Sequence, residues 1–167
     1  MEPLIFSDVN GVVAVAARPS SSNNFKKASG DFGYIVYSPE VVAFFNQHPH
    51  NIKWLTTWGT HAQTELAPAL GISTDIEAQL NSTGLGTIGN FVAPHIDAGN
   101  WWKINEVIKA LDEAPSRKVA WVDDNIPYSA PKALKAKYGD RLLLLETRPT
   151  QGITTEDIQL LEKFLQG

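Results

Sequence analysis

The sequence predicts an α/β fold: a doubly wound parallel sheet with helices on both faces and a small flap after the first strand. Three observations carry this. Short, nearly continuous apolar runs recur at residues 4–8, 53–57, 119–123 and 141–147, the pattern of strands buried on both faces. Helical patterns lie between them, and strand–helix alternation signals a parallel sheet. The chain has 167 residues and 43% hydrophobic content, enough for one domain over residues 1–167 with a core of its own.

The elements follow in order. "LIFSD" opens the chain as a strand, and Asn10-Gly11 comes directly after it. Two readings stand there: a hairpin with a type I′ turn, or a strand ending in a reactive carboxylate and a tight Gly turn. Residues 12–36 are a Ser/Asn/Gly-rich excursion that reads as an exposed flap with a flexible tip. "SPEVVAFFNQ" is a helix with Ser38 as N-cap and Pro39 near its first position. "KWLTTWG" is the next strand. "THAQTELAPAL" is a helix that stops at Gly71, with Pro68 weakening its second half. Residues 72–100 form a second irregular insert. In "WKINEVIKALDEA", Ile104, Val107, Ile108 and Leu111 make one apolar stripe. "VAWVD" is a strand, "YSAPKALKAKYG" a helix closed by Gly139, and "RLLLLET" a further strand. The last helix starts at Thr154 with Asp157 three residues on, a capping-box spacing, and Ile158, Leu161 and Leu165 form its apolar side.

Composition narrows the function classes. The chain has no cysteine, which excludes disulfide partners, thiolate metal sites and a Cys nucleophile. A net charge of −4 speaks against a nucleic-acid face. The N-terminus shows no basic region or small-residue cleavage site, so no secretion signal is expected. No apolar run approaches the roughly 20 residues of a membrane span. A cytoplasmic protein without a membrane partner is the default expectation.

Ligands of open parallel sheets bind outside the carboxyl ends of the strands, near a topological switch point. At those ends this chain puts Asp8, then Thr56 and Thr57, then Asp123 and Asp124, while Lys103 opens the helix before the third strand. Each type has a use in phosphoryl transfer. A carboxylate can attack phosphorus and form an aspartyl-phosphate. Carboxylates at a rim suit Mg²⁺, which takes one or two of them plus phosphate and water. A Thr hydroxyl holds phosphate oxygens, and a Lys ammonium neutralises them. Taken singly, each has a plainer reading. Asp8-x-Asn10-Gly11 is a turn, Asp123-Asp124 a solvated loop or helix start, Lys103 a surface residue, and Thr56 a buried strand residue.

Read together, the four stretches resemble the haloacid dehalogenase (HAD) superfamily of phosphohydrolases. Its first motif, an apolar strand with Asp-x-Asp-x-(Thr/Val), is matched by "IFSDVNGVV". Its second, a strand ending in Thr or Ser, is matched by "KWLTTWG". Its third, a Lys before a helix, is matched by "NWWKINEVIKAL", and its fourth, a strand ending in acids, by "VAWVDDNIP". The WLTTW and WK…AWVDD strings look closest to a small-cap branch found as bacterial and phage single domains and in RNA-repair fusions. The resemblance implies a Rossmann-like sheet and Mg²⁺ as cofactor. It implies that Asp8 is the nucleophile and a metal ligand, that Asp123 and Asp124 serve the metal, and that Thr56 or Thr57 with Lys103 binds phosphate. Val9 would line the site through its backbone.

The second Asp of the first motif falls at Asn10, which is counted with the catalytic and metal-binding positions. There the chain departs from the family. That Asp protonates the leaving group and then activates water, work worth roughly 10²–10⁴-fold; an amide carries no such proton. The resemblance therefore implies a weakened phosphohydrolase acting on a phosphorylated small molecule or nucleic-acid end. The alternatives are a different reaction of the family, an introduced Asp-to-Asn change that traps substrate, or an impaired scaffold that only binds phosphate or nucleotide. A two-component receiver domain uses similar residues, but there the acidic pair follows the first strand, whereas here it comes late, at 123–124.

Other features have simpler expectations. "GLGTIG" at 84–89 matches a dinucleotide fingerprint literally but follows no strand, so it reads as a loop. His48-Pro49-His50 lacks further ligands and is expected to follow a helix. Trp58, Trp101 and Trp102 are core residues by default, with a stacking wall as the lesser reading. Lys26 and Lys27 are expected to be solvated.

Overall fold

The computed structural model describes residues 1–18, 24–82 and 101–167. Four strands form one parallel sheet: β1 (Leu4–Ser7), β4 (Ile52–Trp54), β5 (Val119–Asp123) and β6 (Leu142–Glu146), in the order β4-β1-β5-β6. β1 pairs with β4 on one side and β5 on the other, and β5 pairs with β6. Because β4 follows β1 to one side and β5 to the other, the strand order reverses between β1 and β5. A crevice at that switch point is where such sheets place ligands.

Alternate strand residues face opposite sides, and both sides are buried. Ile5, Ile52, Trp54, Ala120 and Val122 pack with Val41, Phe44 and Phe45 of α1 (Pro39–Gln47), Leu66 and Leu70 around α2 (Ala67–Leu70), and Leu161 of α5 (Thr155–Gln166). Leu4, Phe6, Val119, Trp121 and Leu142 pack with Ile104, Val107 and Leu111 of α3 (Trp101–Glu113) and Leu134 and Tyr138 of α4 (Ala130–Tyr138). This is why the strands read as unbroken apolar runs. Among the described residues no helix is long and apolar enough to cross a membrane.

Local chemistry sets the element ends as expected in three places. Gly71 closes α2 in the left-handed conformation, Gly139 caps α4, and Thr154 and Asp157 form a reciprocal capping box on α5. His48 follows α1 and pairs with Glu162 at 3.0 Å. Lys26 and Lys27 are exposed, and the Lys27 ammonium sits 3.8 Å from the centre of the Tyr34 ring.

Several expectations are corrected. No hairpin forms at Asn10-Gly11: β1 pairs only with parallel strands. The Val13 and Ala14 amides instead fold back onto the Val9 carbonyl, each at 2.9 Å. Residues 12–15 are not flap but core, because Val12, Val13 and Val15 have apolar side chains to bury. The flap is a hairpin of β2 (Lys26–Gly30) and β3 (Gly33–Tyr37), an antiparallel pair apart from the main sheet; residues 19–23 lie outside the described part. β4 ends at Trp54, so Thr56 and Thr57 sit in the turn after it, where the Thr56 hydroxyl accepts the Trp58 amide.

The helix expected at 60–70 is divided into a π-helical stretch, Ala62–Leu66, and α2. Pro68 has no N–H, and its ring crowds the carbonyl four residues back, so the chain widens before it. Residues 72–82 carry no helix or strand but are anchored: Ile72 and Ile76 are buried, the Trp54 N–H bonds the Glu77 carbonyl, and the Gln79 N–H bonds the Trp54 carbonyl. The 84–89 motif and the rest of that insert lie outside the described residues.

Candidate functional site

The site grows from the two strands at the switch point. β1 hands over to Asp8, whose amide still bonds the Val122 carbonyl of β5 at 3.0 Å. Asp8 and Asp123 are thus held side by side by sheet pairing. The Asp8 carboxylate turns back onto its own chain, with Oδ1 accepting the Val9 amide at 2.7 Å. Val9 therefore does contribute its backbone, but to Asp8.

Lys103 arrives from the first turn of α3, whose apolar stripe is buried against the sheet. It is 1% exposed, and its Nζ lies 2.9 Å from Asp8 Oδ2 and 2.7 Å from Asp123 Oδ2. A buried ammonium between two carboxylates is a compensated arrangement; removing one partner from such a cluster costs about 3–5 kcal/mol. Asp123 is 0% exposed, and is further held by the Trp121 indole N–H on Oδ2 and the Asn125 amide on Oδ1.

Asp124 completes the cluster. Asp8, Asp123 and Asp124 each offer a carboxylate oxygen within 4.8 Å of the others. Asp124 comes this close because Gly11 gives way: a Cβ on Gly11 would stand 2.2 Å from Asp124 Oδ2. Gly11 also has φ +71°, a conformation that costs other residues about 1–2 kcal/mol.

One ammonium faces three carboxylates. Burial raises the Asp123 pKa to about 6; Lys103 pulls it back down and Asp8 pushes it further up. Asp124 is raised as well, by burial first and by Asp8 second. The surplus of negative charge and the all-oxygen donor set fit a hard divalent cation.

The remaining expected residues divide. Thr56 is 2% exposed and sits beyond the end of β4, next to β1, while Thr57 is exposed and faces a small cleft with Phe32, Trp58 and His61. Asn10 is exposed, and with Gly11 and Asp124 lines a cleft of about 580 Å³ under the hairpin. Trp58 packs on Phe32 with ring centres 5.6 Å apart, and Trp102 packs against the α3–α4 core; the Trp101 side chain lies outside the described residues.

Thr147 was not anticipated. It follows β6, is buried, and donates its hydroxyl to the Gly11 carbonyl at 2.7 Å while its amide bonds the Asp123 carbonyl at 3.0 Å. It ties the turn after β1 to the end of β5. The signal was present: "RLLLLET" ends in a hydroxyl residue, just as "KWLTT" does. Compared with protein-family models, with curated proteins and with solved structures, the chain matches none.

Proposed function

We propose that this chain is a Mg²⁺-dependent phosphohydrolase of the HAD type on a doubly wound, Rossmann-like sheet, slowed by Asn10. The observation that carries the reading is the Lys103 bridge between Asp8 and Asp123 at the switch point, with Asp124 in reach. Asp8 is the nucleophile. Its carboxylate is ion-paired to Lys103 and accepts the Val9 amide, which orients it from two sides. Asp8, Asp123 and Asp124 would hold Mg²⁺, which would supply charge neutralisation of the phosphoryl oxygens. Lys103 keeps Asp8 in place and adds positive charge, and Thr56 is the candidate hydroxyl for a phosphate oxygen.

In the first step an Asp8 oxygen forms a bond to phosphorus and the ester P–O bond breaks. The departing alkoxide needs a proton. In the second step water attacks the phosphorus of the Asp8 phosphate, the bond from phosphorus to the Asp8 oxygen breaks to return the carboxylate and release inorganic phosphate, and the attacking water loses a proton. Asn10 can hydrogen-bond in both steps but transfers no proton in either. Turnover is therefore slow, most of all for esters of weakly acidic alcohols. The same residue favours the second reading, a protein that binds phosphate or nucleotide on an impaired scaffold.

The test is phosphate release from an aryl phosphate with Mg²⁺. Asn10→Asp is expected to be faster by roughly 10²–10⁴-fold, and Asp8→Asn or EDTA to abolish release in both forms. No gain in Asn10→Asp would sink the acid–base account and leave the binding reading. Release that survives EDTA would sink the metal.

A further inference from the structure

A cleft lies beside the site, under the β2–β3 hairpin. Asn10, Gly11 and Asp124 line it, so it adjoins the carboxylate cluster through Asp124. Its volume of about 580 Å³ falls within the roughly 300–1,000 Å³ of small-molecule pockets. Ala14, Val15 and Val36 of β3 form one continuous apolar floor, because the Val15 amide bonds the Val36 carbonyl at 2.8 Å, and Arg18 also lines the cleft. Tyr34, 64% exposed, also lines it. Register fixes its direction. Ser29 pairs with Tyr34 and Lys27 with Val36, so Tyr34, Val36 and Lys27 share one face of the hairpin. Lys27 Nζ lies 3.8 Å from the Tyr34 ring centre and pins the ring from one side. A half-exposed aromatic ring held in place, over an apolar floor, is a stacking surface rather than a core residue.

We propose that this cleft is the subsite for the alcohol portion of the substrate, and that it selects an alcohol bearing a planar aromatic ring, which stacks on Tyr34. The proposal rests on the phosphohydrolase reading for the position of the phosphate. Tyr34 touches none of Asp8, Lys103 and Asp123 in the contacts described, so the ring contributes to binding and not to the chemical step.

A matched pair of esters tests this: benzyl phosphate and cyclohexylmethyl phosphate, both of primary alcohols with similar reactivity, one ring flat and one puckered. Their affinities are measured by calorimetry with Mg²⁺, for the unaltered chain and for Asp8→Asn. Benzyl phosphate is expected to bind about two- to tenfold more tightly, the range of an aromatic pair. Tyr34→Ala should erase that preference, Tyr34→Phe should keep it, and Tyr128→Ala, at a fully exposed residue outside the cleft walls, should leave it unchanged. Equal affinities in the unaltered chain, binding of neither ester, or a preference that survives Tyr34→Ala would each overturn the proposal. Phosphate release from the same two esters scores the phosphohydrolase reading separately, since that reading stands or falls on release of phosphate whichever ester binds better.

Discussion

Thr147 shows how much of a site can hang on one hydroxyl. Its side chain holds the Gly11 carbonyl and its amide holds Asp123, so the turn carrying Asn10 and the strand end carrying Asp123 move together. Thr147→Val keeps the shape and removes the donor. It leaves a buried carbonyl short of a partner, at a cost of about 1–3 kcal/mol. Chemical denaturation should show that loss, and Thr147→Ser should recover most of it. No loss in Thr147→Val would mean that the hydroxyl contributes nothing to stability. At this scale the sequence was most informative where chemistry was unusual. Asp8, Lys103, Asp123 and Asp124 stood out because charged residues next to apolar strands need a reason, and the structure brings them together. Thr147 did not stand out, because a Thr at a strand end is common and its partner is 136 residues away. Thr56 and Thr57 could not be told apart either: one residue's difference in where β4 stops reverses which is buried.

The elements whose boundaries are set locally were the readable ones. The capping box on α5 is complete in itself, with the Asp157 amide donating to the Thr154 hydroxyl and the Asp157 carboxylate accepting from the Thr154 amide. Thr154→Ala is expected to cost about 1 kcal/mol, read from the denaturation midpoint, with no change in binding of metal because α5 supplies no site residue. A change in metal affinity would show that α5 reaches the site through Ile153, whose amide bonds the Val12 carbonyl. The elements that misled are those decided at a distance. Val12 and Val13 look like the start of a flap because of the Ser and Asn that follow, yet they fold under the turn to join the core. Residues 72–82 are irregular, as expected, yet not loose: their bonds go to Trp54 and to buried Glu106, which accepts from the Gln79 amide group and from Ser82. Periodicity carries no information about such partners.

At the level of the whole molecule, the sheet order brings the ends of β1 and β5 together, and the chain puts more acid than base there. That imbalance has a measurable consequence. Asp123 has a pKa of about 6 in the fold against 3.8 for the ordinary side chain. The folded state therefore binds this proton more tightly than the unfolded state does. Its contribution to stability is complete below about pH 3.8 and declines as pH rises through about 6, where the ionised carboxylate remains buried beside Asp8. Asp124 shifts in the same direction. A divalent cation binds the ionised carboxylates, so its stabilisation must grow across the window in which the protons leave; at a hundredfold excess over its dissociation constant a ligand adds about 2.7 kcal/mol. The rise in Tm produced by saturating Mg²⁺ is thus expected to be large at about pH 7.5 and small at about pH 5. In Asp123→Asn it should be much reduced at both, because the titrating ligand is gone. Equal Mg²⁺ increments at the two pH values would show that Asp123 is not among the ligands, and no increment at either would remove the cation from the site and leave Lys103 as the cluster's sole counter-charge among the described residues.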